Sequence, residues 1–166
     1  MPLGGIITIL VLLPNLLVIF YPPAEVPPEN CKPNSLVRWM VVLERAGQIG
    51  TFVIPFFYAL DFDINDGEIG IGLGIMFLAL VFYYTVWARY LLSGHKFELL
   101  YKPFLGFPLP LAVCPIIYFL AASILLRSPY LALAVFVLAV GHIYVSFFEL
   151  KRVIGSEKLI NSDDLD

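Results

Sequence analysis

Residues 130–149 read YLALAVFVLAVGHIYVSFFE, with no Asp, Glu, Lys or Arg before Glu149 and with His142 and Ser146 set into the apolar run. The segment does not alternate polar with apolar positions, so it is no half-buried strand. As a helix rising about 1.5 Å per residue it covers roughly 30 Å, the thickness of a bilayer's hydrocarbon core. Four further runs of the same kind precede it, at 5–21, 36–60, 69–92 and 108–126. Lipid admits only helices or closed barrels, because backbone polar groups find no water there. The expected fold is therefore all-α: a polytopic integral membrane protein, a single bundle of five transmembrane helices over residues 1–152, with a polar cytoplasmic tail at 153–166.

Composition agrees. The chain is 60% hydrophobic and only 14% charged, against roughly 25% charged for an ordinary soluble domain, and its mean hydropathy is +0.90. With 166 residues and about 20 per crossing, no separate soluble domain fits. The first run starts without a Lys or Arg and is followed by proline-rich sequence rather than a small-residue cleavage site, so it reads as a retained helix and not a signal peptide. Lys32 and Arg38 flank the first connection, Arg89, Lys96 and Lys102 the third, and Lys151, Arg152 and Lys158 the tail, while the other side carries Arg127 and the acidic stretch DFDINDGE at 61–68. The positive-inside rule then puts the N-terminus outside and the C-terminus in the cytoplasm. The expected location is the cytoplasmic membrane, multi-pass.

Local features refine this outline. Pro129 after Arg127 and Ser128 marks a tight hairpin whose second helix it starts. Pro14, Pro55 and Pro115 fall inside helical runs and are expected to kink them and free backbone carbonyls. Gly70 and Gly74 are spaced for close helix packing. Residues 93–107 mix His95, Lys96 and Lys102 with aromatic and aliphatic groups, as an interfacial segment or an amphipathic connector would. The acidic residues 161–166 read as disordered. Cys31 and Cys114 sit at no metal-ligand or dithiol spacing and read as loop and packing residues.

Two polar ridges stand out. Glu44, Gln48 and Thr51 lie at i, i+4 and i+7 on the second run, and His142, Ser146 and Glu149 repeat that spacing on the fifth. A charge at the centre of a membrane helix costs about 2.5–3.5 kcal/mol on insertion scales, so such groups face a protein interior or a wet cavity. Successive helices reverse direction, yet polar groups recur at one end: Asn15 in the first, Glu44 in the second, Tyr83, Tyr84, Thr85, Trp87 and Arg89 in the third, Cys114 and Tyr118 in the fourth, His142 in the fifth. A shared pocket in the cytoplasmic half accounts for that. The candidate ligand- or proton-binding residues are Glu44, Gln48, His142, Ser146, Asn15, Arg45, Tyr84, Arg89 and Glu149, with no catalytic or metal-ligating residue assigned.

Blander roles compete for several of them. Glu44 and Arg45 point about 100° apart and are not expected to pair directly; Arg45 either snorkels to head groups or binds an anion. Trp39, Trp87 and Tyr90 read as aromatic-belt anchors, Glu149 as a solvated helix end and Asn15 as an interhelical hydrogen bond. Glu44 and His142 resist such readings best, since a carboxyl and an imidazole together are suited to trading a proton.

The strings Leu13-Pro14-Asn15, Glu44-Arg45-Ala46-Gly47-Gln48 and Gly141-His142-Ile143-Tyr144-Val145-Ser146 resemble those of small multi-spanning bacterial membrane proteins. That resemblance implies a bacterial cytoplasmic membrane and no particular activity. Gly-rich phosphate loops, zincin and serine-hydrolase motifs and paired haem histidines are all missing from the sequence. No cofactor and no nucleic-acid partner are expected. The leading expectation is a small carrier or ligand-binding protein in which Glu44 and His142 bind a cationic or proton-coupled solute beneath aromatic walls. Its partners would be membrane lipid, a small solute or proton, and a second copy or another membrane subunit, since five short helices leave little room for two rocking halves. The alternatives are an accessory or sensor subunit and an enzyme acting on a lipid or isoprenoid.

Overall fold

The structure, a computed structural model, describes residues 4–24, 26, 34–60 and 67–163, apart from the side chains of 68 and 156–163. Cys31, Lys32, most of the acidic second loop and residues 164–166 lie outside the described residues. The chain is 80% helical, with no strand among the described residues. In order come α1 (Gly5–Asn15), α2 (Leu17–Phe20), α3 (Ser35–Val53), α4 (Gly67–Leu92), α5 (Pro110–Leu125) and α6 (Pro129–Asp163). Three stretches, Ser35–Phe57, Ile69–Leu92 and Pro129–Gly155, are long and apolar enough to cross a membrane, while Gly5–Phe20 and Pro110–Leu125 are shorter apolar helices. The outer surface is apolar as well: Phe57, Leu92, Ile124 and Phe136 are exposed. This is the make-up of a helical membrane protein.

The element ends differ from the sequence expectation where proline or helix propensity decides them. The first run breaks at Leu16, two residues after Pro14, and α3 stops at Val53 and finishes in a 3₁₀ turn, Ile54–Phe57, that contains Pro55. The last helix runs on past residue 149 to Asp163, so most of the expected polar tail is helical, including 161–163 from the stretch expected to be disordered. Good helix formers and a buried Val153 carry it through Gly155.

A proline cannot donate to the carbonyl four residues back, and behind Pro14 and Pro55 side chains from other helices approach that carbonyl. Tyr84 donates its hydroxyl to Leu10 O at 2.8 Å, the oxygen that Pro14 leaves open. Thr8 Oγ1 lies 3.5 Å from Thr51 O, which Pro55 leaves open, and donates at 3.2 Å to Phe52 O. These bonds stitch α1 to α4 and to α3. At the hairpin before α6, Arg127 takes the left-handed conformation (φ 47°) and Ser128 Oγ accepts from Leu131 N at 3.2 Å, capping the helix that Pro129 begins.

The bundle packs as α3 along α6 and α4 along α5, with α5 joining the two pairs. Glycine sets the α3–α6 distance. A Cβ on Gly47 would run into the backbone of Leu138, one on Gly141 into the backbone of Glu44 and Met40, and one on Gly50 into Ala134 Cβ at 2.7 Å. The expected close packing at Gly70 and Gly74 is not found: a Cβ at either position would meet nothing within 4 Å. We expect Gly47→Ala and Gly141→Ala each to lower stability by about 1–3 kcal/mol through overpacking, and Gly72→Ala to be neutral or mildly stabilising. Thermal unfolding in detergent micelles distinguishes these outcomes, and equal effects at all three positions would contradict the packing described.

Candidate functional site

Because Gly141 lies against the backbone of Glu44, the next residue on α6, His142, is brought to the Glu44 carboxylate. His142 Nδ1 stands 2.6 Å from Glu44 Oε1, with the two side chains 23% and 12% exposed. That is a short hydrogen-bond separation. Gln48 Nε2 donates to the same Glu44 oxygen at 3.5 Å and Gln48 Oε1 accepts from Arg45 Nη1 at 3.1 Å. Glu44 and Arg45 do not pair directly, as expected from their directions on the helix; Gln48 links them. The i, i+4 polar ridge of α3 is therefore a continuous hydrogen-bonded row that ends on α6.

The row faces a cavity of about 390 Å³, within the roughly 300–1,000 Å³ common for small-molecule sites. Of the candidates, Asn15, Glu44, Arg45, Gln48, His142 and Ser146 line it. Five aromatic rings, Phe52, Tyr83, Trp87, Tyr101 and Phe119, supply much of the remaining wall. Asn15 at the end of α1 accepts from the Tyr83 hydroxyl at 2.9 Å and back-bonds through Nδ2 to Val11 O at 3.1 Å, so it bridges helices as well as lining the void. The Trp87 indole N–H is buried beside the Tyr83 hydroxyl, with which it interacts.

Three candidates do not line the cavity. Tyr84 is turned about 100° from Tyr83 and spends its hydroxyl on Leu10 O. Arg89 donates to Pro103 O at 3.3 Å and lies over the Phe104 ring, 5.1 Å from its centroid, fastening the connector after α4. Glu149 sits near the end of the polar ridge and pairs with Arg152 at 3.2 Å. Thr51, fully buried, back-bonds to Gly47 O at 3.0 Å. Trp87 and Tyr90 are buried in the bundle and are not belt anchors, whereas Trp39 is exposed; Cys114 and Tyr118 belong to the apolar core.

The sequence reading passed over Tyr101, which no helix carries. Gly94 turns the chain at φ +76° after α4, a 3₁₀ turn follows at Phe97–Leu100, and Phe104 and Phe107 pack on Phe82 of α4. This connector brings Tyr101 over the C-terminal part of α6, beside Arg152, whose guanidinium lies over Phe97. Burial, and then the negative charges of Glu149 and Glu44, push the Tyr101 phenol up to about 12, partly offset by Arg152. A phenol whose folded value exceeds the usual 10.0 favours the folded state fully below pH 10 and loses that contribution as pH rises toward 12. Tyr101→Phe should flatten the fall in thermal stability over that interval; an unchanged pH profile would place Tyr101 in ordinary solvent.

No protein family, curated protein or solved structure matches this chain.

Proposed function

We propose that this chain is a small multi-pass protein of the cytoplasmic membrane that binds, and as a carrier moves, a small solute at the Glu44–His142 cavity. One observation carries the reading: a carboxylate and an imidazole from separate helices meet at 2.6 Å on the wall of a 390 Å³ void. Ionisable side chains embedded in membrane helices commonly mark solute or proton paths. In this reading five helices cross, the N-terminus is outside and the C-terminus cytoplasmic. The 16 residues of α5 reach about 24 Å, which local thinning and flanking segments make up. The cavity then opens toward the cytoplasm, on the side of the basic connectors.

Single cysteines placed in a background without Cys31 and Cys114 test the topology. A cysteine at Arg127 should react with a membrane-impermeant maleimide from outside intact cells and one at Lys96 should not; the reverse pattern would overturn the orientation.

Mass spectrometry after gentle detergent extraction tests the ligand site. Wild-type protein should retain a small molecule that Ala112→Phe, which fills the cavity from α5, no longer holds. Equal retention by both proteins, or a larger protein partner and no small molecule, would contradict a ligand site and favour an accessory subunit. A second reading has one observation in its favour: a carboxylate at Nδ1 orients His142 and leaves Nε2 as a general base, the arrangement an enzyme acting on a lipid or isoprenoid would use. A retained lipid found together with its chemically altered form would select that reading.

A further inference from the structure

Resting on the reading of the cavity as a ligand site, we propose that its ligand is a monovalent organic ammonium with an apolar body, admitted in exchange for the proton held by the Glu44–His142 pair. The chemistry of the wall narrows the class. Its one carboxylate, Glu44, shares the cavity with five aromatic rings, and rings together with a carboxylate are the surroundings that an ammonium group prefers. Val11, Leu12, Leu111, Ala112 and Leu138 add an apolar stretch of wall that suits a hydrocarbon or aryl body. A bare metal cation would find too few oxygen ligands there. An anion would face Glu44. Arg45, held to Gln48 at 3.1 Å, adds one positive charge to the polar side and so disfavours a doubly charged guest.

The exchange follows from the pair's geometry. When His142 carries both ring protons, its imidazolium, with Nδ1 2.6 Å from Glu44 Oε1, compensates the carboxylate, so an arriving ammonium competes for the same oxygens. Two cations on one carboxylate repel, and the imidazolium can relieve this by losing its proton. The N–H bond breaks, its electron pair stays on the ring nitrogen, the proton leaves to water, and the ammonium takes over the charge opposite Glu44. The net charge of the site is unchanged. Other titratable or charged groups facing the pair are Arg45 on α3, Tyr83 from α4 and Tyr101 from the connector, with Glu149 and Arg152 of α6 behind Tyr101; α1 offers only Asn15 and α5 only apolar residues. Among these the imidazole is the side chain whose ordinary titration range lies between pH 5 and 8.

Calorimetry on the purified full chain in detergent micelles tests this with three single-ring probes: benzyltrimethylammonium, benzyl alcohol and benzenesulfonate. The cation should bind most tightly, its affinity should fall as pH is lowered, and the dependence of its heat on buffer ionisation should report about one proton released. Glu44→Gln should weaken it at least about tenfold. His142→Gln should still bind the cation, with no proton release and no pH dependence, which keeps the test decisive if Glu44→Gln fails to fold. Tighter binding of the alcohol or the sulfonate would overturn the ammonium assignment while leaving a ligand site in place. Cation binding without proton release in the wild type would overturn the exchange. Failure of all three probes to bind would overturn both this inference and the ligand-site reading beneath it.

Discussion

The close approach of α3 and α6 is the constraint on which the rest depends. Gly47 faces the backbone of Leu138 and Gly141 faces that of Glu44, so at two points one helix lies directly on the other with no side chain between them. In lipid there is no hydrophobic drive to press two apolar helices together, and small residues that let backbones touch are what association relies on. The contact fixes rotation and height at once. With Gly141 on Glu44, its neighbour His142 falls at the carboxylate, and the polar ridges of the two helices become one surface.

That surface is not explained by stability alone. Replacing a buried ion pair with apolar groups of similar volume is often neutral or stabilising by about 1–4 kcal/mol, and this pair is partly exposed, which weakens it further. What the arrangement supplies is position: a carboxylate, an imidazole and the Gln48 amide share one cavity with five aromatic rings. The prolines contribute by offering freed carbonyls to Tyr84 and Thr8, which ties the short α1 to α4 and α3. The connector adds Tyr101, fastened through Arg89 and the Phe104 and Phe107 rings.

Helical spacing made much of this legible. The ridges Glu44–Gln48 and His142–Ser146 depend only on which residues share a face, and that is written in the order of the chain. The apolar runs likewise announced where helices lie, although not where Pro14 and Pro55 end them or how far α6 extends. Tyr84 and Arg89 are polar but lie off the buried face of α4, which follows Met76, Ala79, Tyr83, Val86, Trp87 and Tyr90, whose three- and four-residue steps are present in the sequence. Glu149 continues the correct ridge but pairs with Arg152, away from the cavity wall. Gly47 and Gly141 carry no signal naming each other as partners, and the glycines of α4 offered a more conspicuous pattern. Tyr101 lies in a segment without periodicity, placed by contacts that only the folded chain brings together.

The account is tested most directly by the Glu44–His142 separation in a lipid bilayer. Dipolar recoupling between carboxyl-¹³C glutamate and ring-¹⁵N histidine in reconstituted protein should give a strong coupling, consistent with Nδ1 at 2.6 Å from a carboxylate oxygen, that disappears in Glu44→Gln. A bilayer sample with no such coupling, or with one that survives Glu44→Gln, would contradict the meeting of these two helices at their polar ridges.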